Sequence, residues 1–337
     1  MNKEFRILSI DGGGIRGIFP AMFLTQLEEE LKASGKENWQ IYQNFDLICG
    51  TSTGGIIALA LALGIPAKEI HELYLENSKD IFGNKRKGLA QLFFSAHKRS
   101  SLESIIRNKF LSKDGKDFRL RDCKTNVCIP IYDLVEGKPS VYKNNYNPRF
   151  TRDFHLPAYQ VALATAAAPV FFDPFSSDYV DLNGVSKTFS NKVDGGVFAN
   201  NPTLLGIIEA KESFGKNLED LKVLSLGTGT QEFSDGKARN GWGILYWINP
   251  FKKRIMDLFL QGQSQLVENL ISLMQNGIDK ERVDNPTFVY HRISTVLDNS
   301  LKIEMDETNK EKLNRLSEKA LYQYHDHATL IKQTFID

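Results

Sequence analysis

Cysteine is scarce in this chain. Three residues in 337, Cys49, Cys123 and Cys128, are an odd number without CxxC spacing. That excludes a disulfide framework, predicts reduced thiols in a cytoplasmic setting, and leaves no Cys/His cluster at zinc-ligand spacing. Long apolar runs are also lacking. None approaches the ~20 residues that span a bilayer, and the start, MNKEFRILSI, has neither an apolar h-region nor a small-residue cleavage site, so no signal peptide is expected. Charge of one sign is missing too: the net +1 provides no general pull towards a nucleic-acid polymer or an anionic surface. No repeat or low-complexity segment interrupts the chain.

What is present alternates strand and helix. Residues 5–10 (FRILSI) predict an apolar strand, a glycine turn at 12–14 follows, and Phe19, Met22, Phe23, Leu27 and Leu31 place one apolar face on a helix over 18–33. Residues 45–49 predict a second strand. After a tight turn at 50–55, IIALALAL at 56–63 predicts a buried helix, because alanine is a poor strand former and small residues let a helix lie close on a sheet. Strands are expected at 127–135 and 221–226, and a small-residue helix at 157–168 before Pro169. A polar loop is expected at 231–241. Leu313, Leu316, Ala320, Leu321, Tyr324, Ala328, Ile331 and Phe335 predict a C-terminal helix at about 308–335. The basic stretch at about 80–120 looks like a cap or insertion. The whole predicts one domain over 1–337, a three-layer α/β/α fold with a mostly parallel central sheet.

Three motifs carry chemistry. Gly50-Thr51-Ser52-Thr53-Gly54 is a GxSxG string between a predicted strand and helix, the context of a nucleophile elbow. The turn is sharp, so its flanks must be small, and the serine stands at a helix N-terminus whose free N–H groups favour developing negative charge. Asp11-Gly12-Gly13-Gly14-Ile15-Arg16-Gly17 also leaves a strand and opens a helix. It satisfies GxGxxG, so a Rossmann-type nucleotide site is an alternative. Asp11 beside a pyrophosphate and the absence of an acidic residue ending the next strand count against that. Consecutive glycines suit an oxyanion hole, where N–H groups converge without side-chain obstruction. Arg16 either supports that loop, attracts an anionic head group, or is a solvated helix-start residue. The third motif, Asp194-Gly195-Gly196, ends an extended segment, with Asn201-Pro202 expected to start the next helix. Alone it reads as an Asx turn. Together the three supply nucleophile, oxyanion donors and base for acyl transfer at strand ends.

DGGGIRG, GTSTGG and DGG in that order resemble the patatin-like phospholipases, supported by ALATAAAPVFF at 162–172 and LSLGTG at 224–229. The resemblance covers roughly residues 5–300. It implies a lipid acyl hydrolase with a Ser–Asp dyad and no histidine: Ser52 as nucleophile, Asp194 as base, and N–H groups of Gly12, Gly13, Gly14 and Thr53 as the oxyanion hole, needing no cofactor. Gly196 stands where many members have alanine. The substrate so implied is a phospholipid membrane surface, with peripheral contact and room for a homo-oligomer. In overall layout the chain resembles bacterial members, some of which are antiphage effectors switched on by a cyclic dinucleotide.

Aspartate has a reference pKa of ~3.9 and is a weak base; burial near the sheet edge is expected to raise that of Asp194. The rival is a histidine triad using His291, His325 or His327, of which His325 and His327, two apart on a helix, point to different faces. A catalytically idle storage or interaction protein is a further alternative, opposed by intact Ser52 and Asp194. Two segments suit a membrane boundary: Leu89 to Arg99, and Trp242 to Arg254, where Trp242, Tyr246, Trp247 and Phe251 mix with Lys252, Lys253 and Arg254. Their aromatics are equally suited to core packing.

Overall fold

The structure is a computed structural model, and it describes residues 4–83, 85, 95–230, 243–247, 254–277, 286–297 and 301–336. The strands are β1 (Phe5–Ile10), β2 (Leu47–Gly50), β3 (Asn126–Asp133), β4 (Lys138–Lys143), β5 (Phe175–Val180), β6 (Ser186–Asp194), β7 (Leu221–Leu226) and β8 (Val289–Ile293). They form a single mixed sheet in the order β5-β6-β3-β2-β1-β7-β8, with β4 also on β3. The stretch β3-β2-β1-β7-β8 is parallel throughout. β4, β5 and β6 extend it in antiparallel fashion.

Both faces of the parallel part are buried, and period-2 alternation sorts its side chains into two cores. Leu8, Ile10, Ile48, Ile129, Leu224 and Leu226 face the larger core. Phe5, Ile7, Leu47, Cys49, Cys128 and Val223 face the smaller one, against Ile207 and Ala210 of the helix Thr203–Phe214 and Ile271 of the helix Arg254–Asn276. The result is the expected three-layer fold.

Helix boundaries follow local chemistry. The helix over Ile18–Ala33 lies where the spacing predicts it. The buried helix runs Thr53–Ala62, starting three residues earlier than the apolar run suggests, because the turn glycines themselves take helical conformation. The small-residue helix is Ala158–Thr165, three residues short of the expected end. Its last turn breaks before Pro169, which disfavours helical geometry at the residue preceding it. Pro202, not Asn201, is the N-cap of Thr203–Phe214; the Asn201 side chain accepts from Thr203 N at 3.1 Å, one position further out.

The C-terminal helix, Lys310–Phe335, packs along Ile18–Ala33 and buries Leu313, Leu316, Ala320, Tyr324, Ile331 and Phe335. Tyr324 and Lys332 both donate to Glu30 across that seam. Part of the expected 80–120 cap and the whole 231–241 loop lie outside the described residues. Within the cap, Ser100–Lys109 is helical and sinks Leu102 and Ile106 into the larger core. Among the described residues no helix is long and apolar enough to cross a membrane.

The topology has one feature that positions everything else. At Cys128, β3 pairs with Cys49 of β2 and with Lys143 of β4, so these two strands occupy opposite edges of β3. At Ile131, β3 pairs with β4 and with Asp194 of β6, so β6 also lies opposite β4. β2 and β6 therefore share one edge of β3. They approach each other head-on and stop a few residues apart.

Leu316 is fully buried between the C-terminal helix and the core. Leu316→Ala should lower unfolding stability by about 3 kcal/mol, read as a lower urea midpoint at unchanged m-value.

Candidate active site

Ser52 stands two residues past the end of β2 with φ 55° and ψ −124°. A non-glycine residue rarely adopts such a conformation, and strain of this kind is held only where neighbours over-determine it. Here they do. Ser52 N–H donates to Thr165 Oγ1 at 3.1 Å, and Thr165 Oγ1 in turn donates to the Pro130 carbonyl at 2.8 Å. Thr51 N–H donates to the Ile10 carbonyl, and its hydroxyl to the Ala199 carbonyl at 2.6 Å. A side chain on Gly50 would collide with the Gly54 carbonyl, and one on Gly54 with the carbonyls of Ile10 and Asp11. Only glycine lets the elbow close this tightly.

Asp194 arrives from the opposite direction at the end of β6 and is buried, 3% exposed. Its carboxyl accepts from Gly196 N–H at 2.7 Å, and the Ser52 side chain lies close enough to favour its charged form. Burial dominates its electrostatics and pushes its pKa up to about 7; Ser52 and Gly196 N–H offset only part of that. This is the direction expected from the sequence. Gly195 lies against the Pro130 carbonyl with no room for a Cβ, whereas a Cβ on Gly196 would meet the Asp194 carboxylate at 3.0 Å. Alanine at 196 would be tight yet within reach of a small shift.

The glycine loop is anchored on all sides. Asp11 does not face the site. It receives both arms of the Arg292 guanidinium, at 3.0 Å and 2.5 Å, and Arg292 also donates to Ser225 Oγ and pairs with Glu268. Burial disfavours the Arg292 cation, but Asp11 beside it outweighs this and holds its pKa above the usual value. Met305 holds the other flank through its carbonyl, which accepts from Ile15 N–H at 2.9 Å. Gly14 makes that approach possible, with φ +59°. Arg16 is not a solvated residue: it is half-buried, and its Nε donates back to the Gly13 carbonyl at 3.3 Å. Gly17 meets the Thr53 side chain so closely that no larger residue fits.

The expected oxyanion donor set needs one correction. Gly12 N–H is committed to the Asn200 carbonyl at 3.0 Å, and the Gly12 carbonyl accepts from Thr228 Oγ1 at 2.8 Å. Gly13, Gly14 and Thr53 line the cavity, while Gly12 packs between Asn200 and Ser52 with its N–H turned to the Asn200 carbonyl. The same bonding disfavours a dinucleotide: the N–H groups of Ile15 and Arg16, at the start of the helical segment, are taken by Met305 and Gly13 carbonyls.

Above the pair lies a narrow cavity of about 80 Å³, apolar except at its floor. Ile56, Ile81, Phe82, Leu102, Phe171, Phe172, Met256, Leu260 and Met305 line it, with Ser52 and Asp194 at the polar end. None of the three candidate histidines lines it. His291 lies in β8 with its ring edge-on to Phe335, His325 is exposed, and His327 bonds to the Gln323 carbonyl of its own helix.

Four supporting residues went unmarked in the sequence. Thr165 and Thr228 lie within ALATAAAPVFF and LSLGTG, Asn200 directly precedes Asn201-Pro202, and Arg292 adjoins His291. An arginine in the otherwise apolar FVYHRI strand is the one local signal, since a cation drawn into the interior demands a carboxylate partner.

Two outcomes follow. Arg292→Met should cost about 3–5 kcal/mol, because it leaves Asp11 buried without its partner; Arg292→Lys should recover only part, lacking the fork. For Asp194, the folded state binds a proton up to about pH 7, whereas the unfolded carboxyl releases it near 4. Its contribution to stability is therefore lost as pH rises from about 4 through 7. Asp194→Asn should gain Tm relative to wild type between pH 5 and pH 8; parallel curves for the two proteins would refute the buried, shifted carboxyl.

Sequence comparison with known proteins gives the family. Residues 8–207 match the family model described as patatin-like phospholipase. The cGAMP-activated phospholipase of Escherichia coli (strain TW11681) is 36% identical over 241 residues, covering 68% of this chain and 63% of that protein. This chain thus spans somewhat under two thirds of that relative. Patatin-like protein 2 of Arabidopsis thaliana is 34% identical over 308 residues, covering 82% of this chain and 73% of that protein. Among solved structures, VipD from Legionella pneumophila aligns over 96% of this chain and 67% of its own, at 13% identity and a TM-score of 0.41. With well over half its length matched by the family model and its three motifs assembled at one cavity, the chain belongs to the patatin-like phospholipase family.

Proposed function

We propose that this protein is a serine acyl hydrolase that cleaves phospholipid acyl esters through a dyad of Ser52 and Asp194. The observation that carries the reading is the placement of Ser52 beside a buried carboxyl whose pKa is raised to about 7, both lining one predominantly apolar cavity. An ordinary aspartate is too weak a base for a serine. At about 7 it is matched to neutral pH.

In this mechanism the acyl chain lies among Ile56, Phe82, Leu102 and Phe172, with its carbonyl carbon over Ser52 Oγ. As Oγ attacks, its proton passes to Asp194. The oxyanion develops against the N–H groups of Gly13, Gly14 and Thr53, each worth about 3–4 kcal/mol by analogy with donor removal elsewhere. Thr53 N–H stands at the start of a fully buried helix, where little water screens the dipole. Asp194 then returns the proton to the leaving alcohol. A water molecule, deprotonated by the same carboxylate, attacks the acyl-enzyme and releases the fatty acid.

The reading extends to an activator of the cyclic-dinucleotide class. Its support is the similarity to a relative named for activation by cGAMP. A nucleotide of this class would act on the enzyme without taking part in the chemistry.

The test combines a fluorophosphonate probe with a phospholipid panel, each with and without cyclic dinucleotides. Wild type should be labelled at Ser52 and release fatty acid; Ser52→Ala should lose both, and Asp194→Asn should lose at least a hundredfold in kcat. Labelling that survives Ser52→Ala would remove the nucleophile assignment. Log kcat/KM should rise with unit slope up to about pH 7 and then level off, because only the ionised Asp194 accepts the proton. A flat profile from pH 5 to pH 8 would rule out Asp194 as base.

A further inference from the structure

Four large apolar side chains exposed to water lie on segments that line the cavity. Phe259 is 63% exposed, Val170 52%, Val197 42% and Leu258 40%. Each adjoins the cavity wall in sequence or belongs to it. Leu258 and Phe259 lie between the lining residues Met256 and Leu260, Val170 lies between Pro169 and Phe171, and Val197 is itself a lining residue. These residues come from three separate segments: the Arg254–Asn276 helix, the turn after Thr165, and the short helix Gly196–Ala199.

The rim is built, not frayed. Val170 has φ 72°, a left-handed conformation that is costly for a β-branched residue. Its carbonyl is held by Ala96 N–H at 2.8 Å, and the next carbonyl, of Phe171, by His97 N–H at 2.9 Å. Gln263 fixes the helix to the short segment beside Asp194: its Nε2 donates to the carbonyls of Gly196 and Val197, and its Oε1 accepts from Asn200 N–H. Strain and specific bonds thus hold exposed apolar groups next to the cavity wall.

We propose that this rim of Val170, Val197, Leu258 and Phe259 is the surface by which the protein seats on a phospholipid bilayer. The proposal rests on the phospholipase reading above and names the partner of that same site. Its chemistry favours lipid over protein. The apolar rim continues into an apolar cavity, so an acyl chain can pass from bilayer to Ser52 without exposing its methylenes to water. A folded partner on the same rim would close the cavity. Exposed Lys98, beside the Val170 turn, adds a cation suited to phosphate head groups. Tyr246, half-buried under the Arg254 guanidinium, and its ring neighbour Trp247 have the amphipathic character found at head-group depth.

The experiment uses Leu258→Gln/Phe259→Gln, two exposed positions outside the proposed catalytic machinery and the cavity lining. Full-length wild type, this variant and Ser52→Ala are mixed with vesicles of phosphatidylcholine alone and of phosphatidylcholine with 30% phosphatidylglycerol. Co-sedimentation, hydrolysis of a soluble short-chain ester, and mass by light scattering are read in parallel. Wild type and Ser52→Ala should bind vesicles equally, more tightly with phosphatidylglycerol. The double variant should lose at least tenfold in vesicle partition while keeping soluble-ester turnover within twofold. Equal partition of variant and wild type overturns the proposal, as does a wild type that binds neither vesicle. A wild-type dimer that the variant converts to monomer would assign the rim to a second copy and overturn it too. Vesicle binding lost in the variant, with no hydrolysis by wild type, would leave the docking surface standing and defeat the hydrolase reading.

Discussion

Two strands that run at each other along one edge of β3 create this site. β2 ends at Gly50 and β6 ends at Asp194, and the ladder between them is interrupted at Ile129 and Pro130. Into that gap the elbow lifts Ser52, and the last residue of β6 meets it. The Pro130 carbonyl, left open by the break, is taken by Thr165, which also holds Ser52 N–H. One threonine thus joins the gap in the sheet to the strained nucleophile. A serine and a carboxyl delivered by two opposed strand ends are held as rigidly as the sheet itself, a precision that loops rarely reach.

The second constraint is desolvation. The same closure that buries Asp194 removes the water that would stabilise its charge, and the carboxyl becomes a usable base. Strength as a base and instability as a buried anion are the same fact seen from two sides. The glycine loop is kept apolar towards the site for a related reason. Its one carboxylate, Asp11, points away and is neutralised by Arg292. A free carboxylate facing inward would repel the oxyanion that the loop is placed to receive.

The cavity's form matches that chemistry. Its polar groups are confined to one end, and the wall is drawn from the sheet-covering helices and the Arg254–Asn276 helix. The Arg254–Asn276 helix therefore serves two roles along one face. Met256 and Leu260 line the cavity and Ile271, on the same face, seals the smaller core, while Phe259 is exposed.

Much of this was written locally. The strand at Phe5–Ile10, the helix at Ile18–Ala33 and the elbow at Gly50–Gly54 follow from apolar period and glycine placement, because both act between near neighbours in the chain. Ser52 and Asp194 were identifiable as a pair only through the order of three motifs. Their contact depends on β6 running antiparallel beside β3, which no local pattern encodes. Gly12 illustrates the same limit. Its sequence is that of an oxyanion donor, yet its N–H is bound to Asn200, a residue 188 positions away. Arg292 pairs with Asp11 across 281 positions, and only burial in a common interior makes that pair necessary. Sequence alone determined which residues have the chemistry for acyl transfer, since that is a property of side chains and adjacent backbone. The tertiary structure decided which of them face the cavity, because hydrogen-bond partners and desolvation are set by residues distant in the chain.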